Sequence, residues 1–232
     1  MSAQSSPPDS AAPARRPRNP RGQGARLRAD ILGAAAELLE ETGDEKAVTL
    51  RAVARRVGIA APSIYAHFAD PQAILVAIVR EAFAELLQHL QAAEAGAGSD
   101  PVARLRAVCA AYLDFARSRP QRYRVAFGGL WDSAEAVEGA AITESEAAGL
   151  GQDALEVIVA ALRECVATGR SGSTDPFADA VALWVGLHGL AHQRVVAPLF
   201  PWPEDVAERL VDPLARLLPT GAPARSADDA SP

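Results

Sequence analysis

Apolar residues recur at three- and four-residue intervals along most of the chain, and no stretch alternates strictly between apolar and polar positions. That pattern predicts an all-α fold. A first helix is expected from about Ala25 to Glu41, with Ile31, Leu32, Ala35, Leu38 and Leu39 as its stripe and Gly43 just past its end. Thr49 then precedes a short periodic run, Leu50, Val53, Ala54 and Val57, and can cap it. Gly58 follows, where a left-handed residue ends a helix at little steric cost, and Ile59 turns back inward. Pro62 suits the first turn of another helix, and Ile64 and Phe68 repeat at i and i+4 to face the core. Two short helices joined by a glycine turn, with small Ala54 at the crossing, form a helix-turn-helix pattern. Arg51, Arg55 and Arg56 lie off the core stripe, and Ser63, Tyr65, Ala66 and His67 point elsewhere.

Asp70 and Pro71 open a long helix to about Ala93, striped by Ile74, Leu75, Ile78, Val79, Phe83, Leu86, Leu87 and Leu90. The linker EAGAGSD breaks the pattern, and Pro101 starts a helix to about Arg117. Pro120 ends that run, and a shorter segment through Phe127 leads to Gly128-Gly129 and a helix-poor junction around Trp131. Two strongly apolar helices are expected at 152–167 and 175–195. Each is apolar over more than one face, which predicts a protein partner for the surplus, most simply a second copy of the chain in a four-helix interface. The alternative is that both are central to the body. A last helix spans about Glu204 to Leu218.

The net charge of −6 looks wrong for a nucleic-acid binder until it is divided: residues 1–60 carry +3 and the remainder −9. DNA binding therefore belongs to the N-terminal end, and the acidic body repels phosphate. Arg15, Arg16, Arg18, Arg21, Arg26 and Arg28 follow one another with no intervening acid, the first four of them in a Pro-rich arm (residues 1–24) that cannot pack a core. The arm, Arg26 at its edge included, can lie in a flanking minor groove; equally, it can be a solubilising tail. Residues 219–232 read as a second disordered tail. Cys109 and Cys165 match neither a CxxC pair nor a zinc set, so free thiols are expected. The start has no apolar core, and no run approaches the roughly 18 to 20 apolar residues of a membrane span, so a soluble cytoplasmic protein is expected.

Gly58-Ile59 through Tyr65-Ala66-His67-Phe68, followed by Asp70-Pro71, resemble the TetR family of bacterial transcriptional regulators, and the resemblance extends back to about Arg26. It implies a three-helix DNA-binding head (25–70) on a helical regulatory and dimerisation body (71–218). By position it also implies DNA contact by Thr49, Ser63, Tyr65 and His67. Tyr65 as half-buried core and His67 as a solvated residue remain open alternatives. Two departures weaken the match locally: Ala60 and Ala61 offer no side-chain oxygen before the recognition helix, and Pro71 stands where the family often has lysine. Trp184-Val185-Gly186-Leu187-His188-Gly189 is similar to the C-terminal regulatory domain of a subgroup named for its Trp, His and Gly. The resemblance implies a homodimeric repressor on a near-palindromic operator, released when a small effector binds the body.

Within the body, His188 and His192 stand at i and i+4, a spacing that two metal-bound imidazoles can use. The absence of an HExxH glutamate argues against a metal, and no P-loop, nucleophile elbow or dinucleotide motif is present, so no cofactor and no enzymatic activity are expected. Tyr112, Phe127, Trp131 and Trp184, with Tyr112, His188 and His192 as polar handles, predict a pocket for an apolar or aromatic molecule. The rival function is a helical ligand-binding or enzymatic protein whose head no longer reads DNA.

Overall fold

The computed structural model describes residues 23–219. The N-terminal arm up to residue 22 and the C-terminal tail from residue 220 lie outside the described residues. The described chain is all-α, and its one β feature is an isolated bridge between Ser171 and Leu217. The helices are α1 (Gln23–Thr42), α2 (Leu50–Val57), α3 (Ala61–Ile64), α4 (Pro71–Gly96), α5 (Pro101–Ser118) and α6 (Pro120–Phe127). They continue with α7 (Ser133–Glu138), α8 (Glu144–Gly149), α9 (Gln152–Ala167), α10 (Pro176–Val196) and α11 (Val206–Leu214).

One local signal starts three of the longer helices. Asp70, Asp100 and Asp175 each accept a hydrogen bond from the amide three residues on, at 2.8, 3.1 and 3.1 Å, and each is followed by proline. The aspartate satisfies an otherwise orphan amide, while proline lacks the N–H that would have been orphaned. The starts of α4, α5 and α10 are thereby set by contacts within four residues.

Two apolar cores result. The first joins α1, α2, α3 and the first half of α4 through Ile31, Leu39, Val53, Ile64, Ile74 and Ile78, all fully buried. Val125 of α6 belongs to it as well, so the body's α6 packs directly against this head. The second core joins the end of α4 (Leu86, Leu90) to α5, α9, α10 and α11. Phe83 packs against both. α4 is thus one rigid rod shared between two cores, and Phe83 marks the changeover.

The stretch expected to be helix-poor around Trp131 instead holds α7 and α8. Asp132 caps α7, and a reciprocal Thr143–Glu146 capping box starts α8. Each helix has six residues, and together they bury only Ala136, so the hydrophobic periodicity that reveals longer helices is missing. α11 is shorter than the sequence pattern suggests, because Pro213 lies in its last turn and the chain then closes on the α9–α10 loop. There the Leu218 amide donates to the Arg170 carbonyl at 2.9 Å and the Ser171 hydroxyl to Ala215 at 2.7 Å. No helix among the described residues is long and apolar enough to cross a membrane.

Candidate nucleic-acid interface and effector region

Two helices and a tight turn make the interface. Thr49 caps α2 by accepting from the Ala52 amide at 3.1 Å. Gly58 ends α2 at φ +75°, where its amide and that of Ile59 return to Arg55 and Ala54 carbonyls. Leu50, Val53 and Ala54 are buried beneath, and Ile64 and Phe68 lock the following element onto them. Burial of the Ile64 side chain alone contributes about 1.5–3 kcal/mol. The α-helical part of this element is only four residues, Ala61–Ile64, and continues as turns to Phe68, with the Phe68 amide on the Ile64 carbonyl at 2.9 Å.

With Ile64 and Phe68 turned inward, Ser63 and Tyr65 face out. Tyr65 is 62% exposed, a large aromatic that the core does not use. Thr49 and Ser63 are also exposed, whereas His67 is half-buried near the start of α1, close to Gly24. Arg26 is exposed on α1. Of Thr49, Ser63, Tyr65 and His67, the first three are exposed, and His67 is less accessible.

The arginines sort themselves by partner. Arg56 donates to both Glu41 oxygens at 2.7 and 2.8 Å, and this hydrogen-bonded guanidinium holds the Glu41 carboxyl below its ordinary range. Arg28 sits over the Phe68 ring at 5.1 Å and near Glu81 at 3.8 Å, bracing α1 against the exit of α3. Arg51 and Arg55 are exposed and have no ion-pair partner among the described residues. They are phosphate-binding candidates that the sequence placed off the core stripe but did not single out.

The backbone offers less than the missing side chains at Ala60 and Ala61 would require. Ala60 makes no side-chain cap, Pro62 has no N–H, and the Ser63 amide is already closed on the Ala60 carbonyl at 2.8 Å. The start of α3 therefore presents the exposed Ser63 hydroxyl rather than a row of free amides.

In the body, four of the six expected pocket residues come together and two do not. Tyr112, Phe127, Trp184 and His188 form a continuous aromatic cluster with Tyr123; His188 lies 4.4 Å from Phe127, 5.2 Å from Tyr112 and 5.5 Å from Trp184, ring centre to ring centre. The Trp184 indole N–H donates to His188 Nε2 at 3.0 Å, while His188 Nδ1 donates to the Trp184 carbonyl at 2.8 Å. Burial lowers the His188 pKa from the ordinary imidazole value and keeps the ring neutral. Two residues on from Trp184, Gly186 lets α11 approach, since a Cβ there would meet Leu214 Cδ1 at 2.9 Å.

Trp131 packs instead between the head core and a small cluster of Val76, Ala136 and Ile142. His192 is exposed on the outward side of α10 with Val185 and Val196. It does not face the same space as His188, both of whose nitrogens are already engaged. The two cysteines are free and buried, and burial pushes the Cys109 thiol up to about 12 and Cys165 to about 11. Neither is a nucleophile near neutral pH.

Residues 31–78 match the profile of bacterial regulatory proteins of the tetR family, and residues 105–218 match that of the tetracyclin repressor-like C-terminal domain. No curated protein matches the chain in sequence. Among solved structures, a protein of unknown function from Rhodococcus sp. RHA1 is similar at 26% identity and a TM-score of 0.69, over 86% of this chain and 98% of that one. A tetR-family regulatory protein from Rhodococcus RHA1 aligns at 21% identity and a TM-score of 0.61, over 82% and 96% of the two chains. The TetR family transcriptional regulator PfmR from Thermus thermophilus aligns at 22% identity and 0.60, over 82% and 98%. With one profile over its helix-turn-helix and another over its helical body, the chain belongs to the TetR family, as a DNA-binding transcriptional regulator and not an enzyme.

Proposed function

We propose that this regulator is a cytoplasmic homodimeric repressor that binds a near-palindromic operator and is released by a small apolar effector. The supporting observation is the sharing of α4: one helix carries Ile74 and Ile78 in the head core and Leu86 and Leu90 in the body core. A change in the body's packing is thereby transmitted to the head as a tilt of α4. Residues 25–70 act as the reading head and 71–218 as the sensing and dimerising body. The contacts assigned to DNA are Thr49, Ser63, Tyr65, His67 and Arg26, joined by Arg51 and Arg55, with the two heads in successive major grooves about 34–36 Å apart.

Dimerisation uses the outer face of α10, with α9 beside it. Phe177, Val181, Val185, Val195 and Val196 are all exposed, a stripe that continues into Leu199 at 97% and Phe200. α9 turns most of its apolar residues into the body core and shows Glu156 and Arg163, paired at 2.6 Å, outward. α10 therefore supplies most of the apolar contact.

The test is fluorescence anisotropy with fragments of the chromosome flanking the gene. A repressor binds one fragment well above the others, its affinity falling steeply with salt, and effector and operator weaken each other by the same factor. Absence of DNA binding at low salt would instead support a ligand-binding protein whose head no longer reads DNA.

A further inference from the structure

The proposed effector release leaves open what kind of molecule the body takes and how it gets in. Three buried side-chain atoms among the described residues lack a hydrogen-bond partner: Gln72 Oε1, Trp131 Nε1 and the Tyr112 hydroxyl. Only Tyr112 belongs to the aromatic cluster, where its side chain is 1% exposed. An unpartnered hydroxyl in such a place is costly, by roughly the desolvation of one polar group. His188 does not relieve it, because both of its nitrogens are engaged by Trp184, and the one polar group beside it, the Tyr123 hydroxyl, stands outside hydrogen-bond distance.

The cluster itself is closed, but a cleft of about 200 Å³ lies next to it between α4 and the start of α9. Phe83, Leu87 and Leu150 supply its apolar wall, and Arg80 and Asp153 its polar rim. Phe83 is the partition. One side of its ring lines this cleft, and the ring meets Phe127 of the cluster edge-on at 5.2 Å. The ring can occupy that position only because residue 151 is glycine, at φ +80°: a Cβ there would stand 2.7 Å from Phe83 Cε1.

Resting on the effector-released regulator proposed above, we infer that the aromatic cluster is the closed form of the effector site, taking an uncharged aromatic molecule with one hydrogen-bond acceptor that is admitted from the cleft by displacement of the Phe83 ring. The acceptor follows from Tyr112, whose phenol donates more strongly than it accepts. The lack of charge follows from the surroundings. An anion inside the cluster would lose its hydration against aromatic rings with no cation to replace it. At the rim, Arg80 is already held by Glu146 at 2.6 Å, and Asp153 repels an anion that stops there. Phe83 lies on α4 against both cores, so the displacement that admits the ligand also pushes on the helix that carries the head.

The probes are three bicyclic molecules of similar size: 1-tetralone, with one acceptor; tetralin, with none; and 1-naphthoate, which is charged. Each is titrated calorimetrically into the full-length protein. 1-Tetralone is expected to bind, with tetralin about five- to tenfold weaker, as the loss of one hydrogen bond implies, and 1-naphthoate weaker still. Tyr112→Phe deletes an oxygen whose one polar neighbour, the Tyr123 hydroxyl, stands outside hydrogen-bond distance, so the fold is retained; it is expected to erase the preference for tetralone and leave tetralin unchanged. Phe83→Leu narrows the partition and is expected to speed association in stopped-flow mixing. Failure of tetralone to bind, equal binding of tetralone and naphthoate, or a tetralone preference that survives Tyr112→Phe would each overturn the inference. If another molecule releases DNA with full effect in both variants, the regulator reading stands and this site falls. If tetralone binds through Tyr112 but no DNA is bound, the site stands and the regulator reading falls.

Discussion

Thr49 offers a separation of folding from DNA contact at a single residue. Its hydroxyl oxygen accepts from the Ala52 amide at 3.1 Å, which leaves the hydroxyl proton free to donate to a phosphate. Asparagine and aspartate cap a helix at least as well as threonine. Thr49→Asn and Thr49→Asp should therefore both retain α2, with unfolding free energies within a few tenths of a kcal/mol of the parent, the aspartate gaining slightly from the helix dipole. They differ in charge alone. An added carboxylate about 4 Å from a phosphate is repelled by about 1 kcal/mol in a water-like dielectric and by about 4 kcal/mol at the effective dielectric of a protein surface. Since about 1.4 kcal/mol is tenfold in affinity, Thr49→Asp should bind DNA at least about fivefold more weakly than Thr49→Asn in each head. It should also show a shallower salt dependence. Anisotropy with a generic duplex suffices, because phosphate contacts act on every sequence. Equal binding by the two variants across a salt titration would refute the placement of Thr49 at the backbone.

Gly58→Ala should destabilise by about 1–2 kcal/mol from backbone strain alone, since φ is +75° and the new methyl meets nothing within 4 Å; Gly151→Ala adds the Phe83 collision and should lose more in urea unfolding. Val185→Glu, at a position 65% exposed, should leave helicity unchanged and give monomers in sedimentation velocity. The lowered pKa of His188 means that its contribution is present above the unfolded imidazole value and lost as pH falls below it, so the melting temperature should drop in mild acid and drop less in His188→Gln. Glu45 has the opposite sign. Burial, then the neighbouring Glu135, raises its carboxyl pKa, so its contribution is lost as pH rises through the raised value; Glu45→Gln should raise the melting temperature near neutral pH and have little effect in acid.

How much was legible varies with the range of the interaction involved. Thr49, Gly58 and Asp70 act within four residues, so their caps and turns could be read directly. The inward set Val53, Ala54, Ile64 and Phe68 was legible for the same reason, its spacing being that of a helix face. α7 and α8 were not, because six-residue helices with almost nothing buried leave no periodic trace. The candidate pocket was half legible. An aromatic on an apolar face is marked for burial, but nothing local says against which neighbour, and so Trp131 and Trp184 read alike and ended in different cores.

The sequence by itself determined the longer helices, most of their starts, the helix-turn-helix and the concentration of positive charge at the reading end, all of which follow from short-range backbone chemistry and composition. Tertiary structure alone decided which arginines stay unpaired among the described residues, since Arg56 is claimed by Glu41 from another helix while Arg51 and Arg55 are not. It also decided that the Tyr112 hydroxyl is sealed without a partner and that Phe83 stands between two cores. Those outcomes depend on where distant helices cross, and crossing is set by how whole surfaces fit, a property that no single window of sequence contains.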